Sequence, residues 1–223
     1  TTTSTGETGT ISDTEVSTAA FVNTRNTGDL EVSKTVVSDR AADASQTFKF
    51  TIELDDNTVN GTFGDMEFKN GVAEVELKGG DTAAAEGLPT EIGYTVTEAE
   101  EEGFELTGKT GDTGTISTEK SEASFTNTRE TGGLTVTKSV VSSTASDKNK
   151  DFHFKVTLSD TTISGTYGDM TFENGVATFT LKDGESKAAS GLPTSITYTV
   201  EEEDANTDNF VTTSTGDIEG TIE

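Results

Sequence analysis

Residues 48–54 read FKFTIEL, and this alternation decides the fold. Phe48, Phe50, Ile52 and Leu54 fall on one side of an extended chain, and Lys49, Thr51 and Glu53 on the other. A two-residue period of this kind belongs to a strand with one face in a core and one in water. Residues 152–158, FHFKVTL, repeat the pattern with Phe152, Phe154, Val156 and Leu158 inward. His153 stands where Lys49 stands, so the chain's single histidine is expected on the solvent face and not as a catalytic base.

Working outward, the two strands belong to a longer internal repeat. GTFGDMEFKNGVAEVEL from Gly61 matches GTYGDMTFENGVATFTL from Gly165, 104 residues on. LEVSKTVVS from Leu30 matches LTVTKSVVS from Leu134, and GLPTEIGYTVTE from Gly87 matches GLPTSITYTVEE from Gly191, both at the same offset. At the front, AAFVNTRNTG from Ala19 matches ASFTNTRETG from Ala123. A period this long is the size of a domain. The expected organisation is residues 1–28 as the C-terminal strands of a preceding repeat (or a donor strand), 29–130 as a complete domain, and 131–223 as a second domain lacking its last strand. TTSTG at Thr2–Gly6 recurs at Thr212–Gly216, as in a window cut from a longer array. The first residue is not Met and no secretion signal is present, again as expected of an internal piece.

Within each repeat, six to eight short strands separated by turn signals predict an antiparallel β-sandwich. Asn70-Gly71 and Asn174-Gly175 each sit between two alternating runs and suit the positive φ angles of a tight hairpin. No stretch has sustained helical periodicity. Asp81–Glu86, with three alanines, is the one place where a helical turn is expected. The abundance of Thr supports strands, because its branched Cβ suits a pleated, half-buried surface.

Composition removes several classes of function. Lys and Arg total 15 against 41 Asp and Glu, a net charge of −26. Nucleic-acid binding needs clustered cations and is not expected. An anionic membrane surface is disfavoured for the same reason, and no apolar run is long enough to insert. With no Cys there are no disulfides, thiolate metal sites or cysteine nucleophiles, and one His makes a zinc site or His-based triad untenable. The acidic runs Glu98–Glu102 and Glu201–Asp204 lack the alternating ligand spacing of a calcium loop, so no metal and no cofactor are expected.

The same period exposes three misplaced polar residues. Leu30 and Val32 face inward, so Lys34 does too; Tyr94 and Val96 carry Glu98 inward; Ala123 and Phe125 carry Asn127. The second repeat places Lys138 after Leu134 and Val136, and Glu202 after Tyr198 and Val200. Its Asn equivalent falls at position 231, and the front fragment offers Asn23 after Ala19 and Phe21. Two plain readings are that the alternation runs out into solvent at strand ends, or that Lys and Glu form an ordinary buried ion pair. A third follows from the residue types. Burial favours the neutral forms of amine and carboxyl. A neutral amine is a nucleophile, a carboxamide carbon an electrophile, and a carboxylic acid can shuttle the proton between them. Attack with loss of ammonia would leave an isopeptide bond in a single turnover.

The set VxK in the first strand, YTVTE in a middle strand and FTNT in the last resembles the Cna B-type domains of Gram-positive surface proteins. The run LTVTKSVV…DFHFKVTL…FTLKDGES…GLP…YTVEE is similar to streptococcal major pilin domains. The resemblance covers both repeats and the leading fragment. It implies tandem immunoglobulin-like (Cna B-type) β-sandwiches, all-β, with Lys34 joined to Asn127 and Glu98 catalytic, and Lys138 and Glu202 in the same roles. It also implies an extracellular, cell-wall anchored or pilus location. There is no LPxTG sorting signal, since Leu88-Pro89-Thr90 lacks the rest.

The expected function is therefore a structural stalk or pilus-like repeat stabilised by autocatalytic Lys–Asn bonds, with neighbouring repeats as partners. One alternative is an adhesin module for a host protein or glycan. Its candidate loops, Asp39–Gln46 and Ser143–Lys150, differ most between repeats but are polar and lack aromatics. Another is a fibre subunit joined to a second copy by strand donation, with an intermolecular Lys138–Asn23 bond. Nothing in the sequence supports an enzyme acting on an external substrate.

Overall fold

The computed structural model describes residues 1–223. The chain packs as two compact units. One is built from Thr1–Thr35, Thr47–Ala99 and Gly108–Thr126, the other from Val36–Gln46, Glu100–Thr107 and Asn127–Glu223. Strands β1 (Thr2–Thr5) and β2 (Ala20–Asn23) form a two-stranded antiparallel sheet of their own.

The first repeat runs through β3 (Thr27–Val37), β4 (Phe48–Leu54), β5 (Gly61–Phe63), β6 (Met66–Phe68), β7 (Val72–Leu77), β8 (Thr82–Pro89), β9 (Gly93–Glu98), β10 (Phe104–Thr110), β11 (Thr113–Thr115) and β12 (Ser121–Arg129). Two four-stranded sheets result, in the orders β10-β12-β3-β8 and β11-β9-β4-β7, with β5 and β6 as a separate hairpin. The strands are more numerous than the sequence pattern suggests because β5, β6 and β11 are only three residues long, too short to show a period.

The alternation at 48–54 is realised side chain by side chain. Phe48, Phe50, Ile52 and Leu54 are buried and Lys49 and Glu53 exposed. The opposite sheet contributes Leu30 and Val32 from β3, Ala83, Ala85 and Leu88 from β8, and Ala123 and Phe125 from β12. Phe50 and Phe125 meet edge to face with centroids 5.1 Å apart, joining the two layers. Asn70 and Gly71 adopt φ of 53° and 79° between the bridged residues Lys69 and Val72, a tight turn from β6 into β7.

One expectation is corrected. Residues 82–86 are not a helical turn but the start of β8. Ala83 and Ala85 pair with Val32 and Leu30 of β3, so small side chains lie opposite large ones. Pairing with a long strand and burial outweigh the weak helix preference of three alanines.

The second repeat has β13 (Thr131–Thr137), β14 (Phe152–Leu158), β15 (Gly165–Tyr167), β16 (Met170–Phe172), β17 (Val176–Leu181), β18 (Ser186–Pro193), β19 (Thr197–Glu202) and β20 (Glu219–Thr221). β17-β14-β19-β20 form one sheet, β13-β18 a second and β15-β16 a hairpin. Its core gathers Phe152, Phe154, Val156, Leu158, Met170 and Phe172 among others. These layers are immunoglobulin-like β-sandwiches of the all-β class.

Truncating one inward residue should be costly and its outward neighbour cheap. Ile52→Ala is expected to lower the stability of the first repeat by about 2–5 kcal/mol, and Glu53→Ala to change it by less than about 0.5 kcal/mol. Urea unfolding followed by amide hydrogen exchange within residues 48–54 checks both.

Candidate functional site

The three polar residues singled out by their period do face inward. Lys34 is 2% exposed and Asn127 is 3% exposed. Glu98 ends β9, where its side chain is also enclosed. Lys34 sits on β3 and Glu98 on β9, in different sheets. Their ion pair, with Nζ 2.8 Å from Oε1, therefore crosses the interior of the sandwich. The backbone fixes the amine's position, because the Lys34 amide donates to Asp81 O at 3.0 Å and its carbonyl accepts from the Gly80 amide at 2.8 Å. Beneath the ammonium lies the ring of Phe48, 4.1 Å from Nζ to centroid, with Phe50 at 6.0 Å.

The surroundings of Lys34 change its chemistry. Burial holds its amine below the ordinary lysine range, and the hydrogen bond and charge of Glu98 only partly oppose this. Asn127 lies on β12, the hydrogen-bonded neighbour of β3. Ser33 Oγ ties these strands by donating to Ala123 O at 3.4 Å, and it lies 2.9 Å from Ser124 Oγ. Among the site's residues, two buried oxygens have no hydrogen-bond partner, Glu98 Oε2 and Asn127 Oδ1. Both are acceptors, and a buried acceptor without a donor is costly.

The second repeat reproduces the pair. Lys138 Nζ lies 2.9 and 3.0 Å from the two oxygens of Glu202 and 4.1 Å from the Phe152 centroid. It is less enclosed, with side-chain exposures of 12% and 10% against 0% and 2% for Lys34 and Glu98. Lys138 directly follows β13, whose sheet has two strands, and the sheet that carries Lys34 has four. Asn23 stands apart on the exposed β2, where its Oδ1 accepts the Thr2 hydroxyl at 2.8 Å. His153 is exposed, and its Nδ1 lies 2.6 Å from Asp204.

Two buried charged residues are absent from the sequence reading. Arg129 continues the inward series Ala123, Phe125, Asn127 by one more step. Its guanidinium bonds Asp43 through Nε at 2.8 Å and Nη2 at 2.6 Å. Asp43 lies in a short 3₁₀ turn, Ala41–Ser45, inside the segment considered above as a candidate ligand loop. Extending the two-residue period past Asn127 would have found Arg129. Asp43 lies outside any strand, and only the recurrence of Ser38 and Asp43 as Ser142 and Asp147 marks it.

Over 80 residues the chain is 44% identical to the pilus tip adhesin Cpa of Streptococcus pyogenes, a match covering 33% of this chain and 12% of that protein. The major pilin T3.2 of the same species superposes with a TM-score of 0.51 over 89% of this chain and 94% of the pilin, at 20% identity. The T-13 major pilin gives 0.50 over 81% and 83%, also at 20% identity. These pilin likenesses concern the fold alone. Residues 28–129 and 132–223 each match the family described as a domain of unknown function (DUF7601). The chain belongs to that family, carrying two of its domains, and shares its fold with the major pilins.

Proposed function

We propose that the chain is a load-bearing stalk or pilus-like segment of a bacterial surface protein, in which Lys34 and Asn127 become joined by an isopeptide bond. The observation that carries the reading is the Lys34–Glu98 pair sealed between the sheets at 2.8 Å, beside a strand that carries a buried carboxamide. An ion pair alone gives weak stability in such a place, because desolvation offsets most of its attraction. A reaction that consumes both charges gives the burial a purpose.

In the proposed step a proton passes from Lys34 Nζ to Glu98 within their hydrogen bond, leaving a neutral amine and a neutral acid. The carboxyl, protonated on the oxygen that faced the amine, turns about its Cγ–Cδ bond so that this O–H donates to Asn127 Oδ1 while the other oxygen faces the amine, which would satisfy the two buried acceptors together. The amine attacks Asn127 Cγ and the Nζ–Cγ bond forms. Glu98 relays the proton lost by nitrogen to Nδ2, the Cγ–Nδ2 bond breaks, and ammonia leaves. The fold supplies the proximity that replaces an external catalyst. Lys138 and Glu202 have the same two roles in the second repeat, with the carboxamide coming from a strand in the place of β12.

The bond would close a loop of 93 residues. By the chain-entropy argument for covalent crosslinks this contributes roughly 4 to 5 kcal/mol. Because β3 and β12 are the first and last strands of the repeat and neighbours in one sheet, tension applied at the two ends would run through the bond instead of unzipping the strands.

Intact mass spectrometry of the purified chain is expected to show the sequence mass less one ammonia for residues 29–130, and Glu98→Ala to restore the full mass while the repeat still folds. An unsubstituted folded chain at full sequence mass would falsify the reading.

A second outcome concerns the unreacted amine. In Asn127→Ala the Lys34 amine cannot be consumed, and NMR titration of its Nζ and Cε should give a pKa below the ordinary value of about 10.4. Between that lowered value and the ordinary one, the unfolded chain binds more protons at this site than the folded chain does. The stability contributed by the site therefore rises with pH across that window. An ordinary lysine titration would contradict the buried-amine account.

A further inference from the structure

The mechanism above leaves one buried charged cluster unused. Arg129, 7% exposed, and Asp43, 3% exposed, form a two-pronged ion pair. The carboxylate also accepts the Ser38 hydroxyl at 2.6 Å, and Arg40 stands 3.9 Å away. On the arginine side, Nη1 donates to Gly103 O at 3.3 Å and the guanidinium lies 4.0 Å over the Phe104 ring. Gly103 has φ +77°, and a Cβ there would fall 2.3 Å from Nη1, so the loop is shaped to admit the arginine. Burial alone would raise the Asp43 pKa, but the bonds from Arg129 and Ser38 and the charges of Arg129 and Arg40 outweigh it and hold the carboxyl below its ordinary value.

The cluster joins the same two chain segments that the isopeptide bond would join. Asp43 follows Lys34 by nine residues, just past the end of β3, and Arg129 follows Asn127 by two on β12. Asn127 and Arg129 therefore share a face of their strand. The halves recur together. Asn23 is followed two residues on by Arg25, as Asn127 is by Arg129. Ser142 donates to Asp147 at 2.6 Å, as Ser38 does to Asp43. A bidentate Arg–carboxylate pair has narrow geometric tolerance, and sliding β12 by one residue would turn both Asn127 and Arg129 to the outer face.

We propose that the Asp43–Arg129 pair is a positioning device for the crosslink. It docks the last strand against the turn after the first and sets its register, so that the Asn127 carboxamide is presented to Lys34 before any bond forms. Asp43 and Arg129 touch neither reacting atom and act through Asn127. This rests on the isopeptide reading and assigns that site two further residues.

The test follows ammonia loss by intact mass over time after cell-free synthesis of the full chain. Asp43→Asn and Arg129→Lys are compared with Leu77→Ala, a core truncation in the other sheet. Thermal stability of each is measured separately in the unreactive Glu98→Ala background. Both ion-pair variants are expected to lose ammonia at least about tenfold more slowly than the unsubstituted chain, and Leu77→Ala to react at the unsubstituted rate despite an equal or larger loss of stability. Ser38→Ala, which keeps the ion pair and removes one hydrogen bond, should fold readily and slow the reaction severalfold. If the ion-pair and Ser38 variants react as fast as the unsubstituted chain, or if Leu77→Ala slows the reaction as much as they do for the same loss of stability, the positioning role is overturned. Failure of the isopeptide reading is recognised separately, because the unsubstituted chain then keeps its full mass.

Discussion

An amine and a carboxyl group held 2.8 Å apart between two β-sheets set the terms for everything around them. A sandwich core gains stability by excluding water, and a charged pair within it opposes that gain. The first repeat accommodates the conflict by building an apolar wall around Lys34, with Phe48 beneath the nitrogen and Phe50 next to it. It anchors the lysine backbone on both sides through Gly80 and Asp81. The second repeat keeps the same ring and backbone arrangement around Lys138. Its enclosure is looser, and its lysine strand has one neighbour in its sheet where β3 has two.

The sequence discloses most of this through one rule, that side chains alternate faces along a strand. Applied to residues 30–34, 94–98 and 123–127 it brings Lys34, Glu98 and Asn127 to the interior, where the structure has them. It works because these strands are long and their inward neighbours are unambiguous hydrophobes. The rule has less hold where strands are only three residues long, as at Gly61–Phe63 and Met66–Phe68. It misleads at 82–86, where alanine carries little pattern and pairing with β3 decides the conformation. Asp43 was illegible for a different reason. It lies in a 3₁₀ turn with no period, and its burial depends on an arginine 86 residues away.

The family assignment and the local chemistry are separate statements. The matches at 28–129 and 132–223 fall on the two repeats that the offset of 104 residues defines. The shared fold with major pilins says how the layers are built. What the repeats do with that fold depends on a few side chains, of which Lys34, Glu98 and Asn127 carry the proposed reaction and Asp43 and Arg129 its alignment.

The order of strands has a consequence for biosynthesis. β3 is flanked by β8 on one side and β12 on the other, so the first strand made waits for the last before its sheet is complete. About a hundred residues must leave the ribosome before that closure, and pairings of such long sequence separation form slowly. Only Glu130 separates the end of β12 from the start of β13, so a near-identical opening strand emerges just as the previous repeat is closing. A nascent array of this kind faces competition between its own copies for the same partner strand. Any feature that commits a closing strand to its own repeat early then protects the array from misassembly.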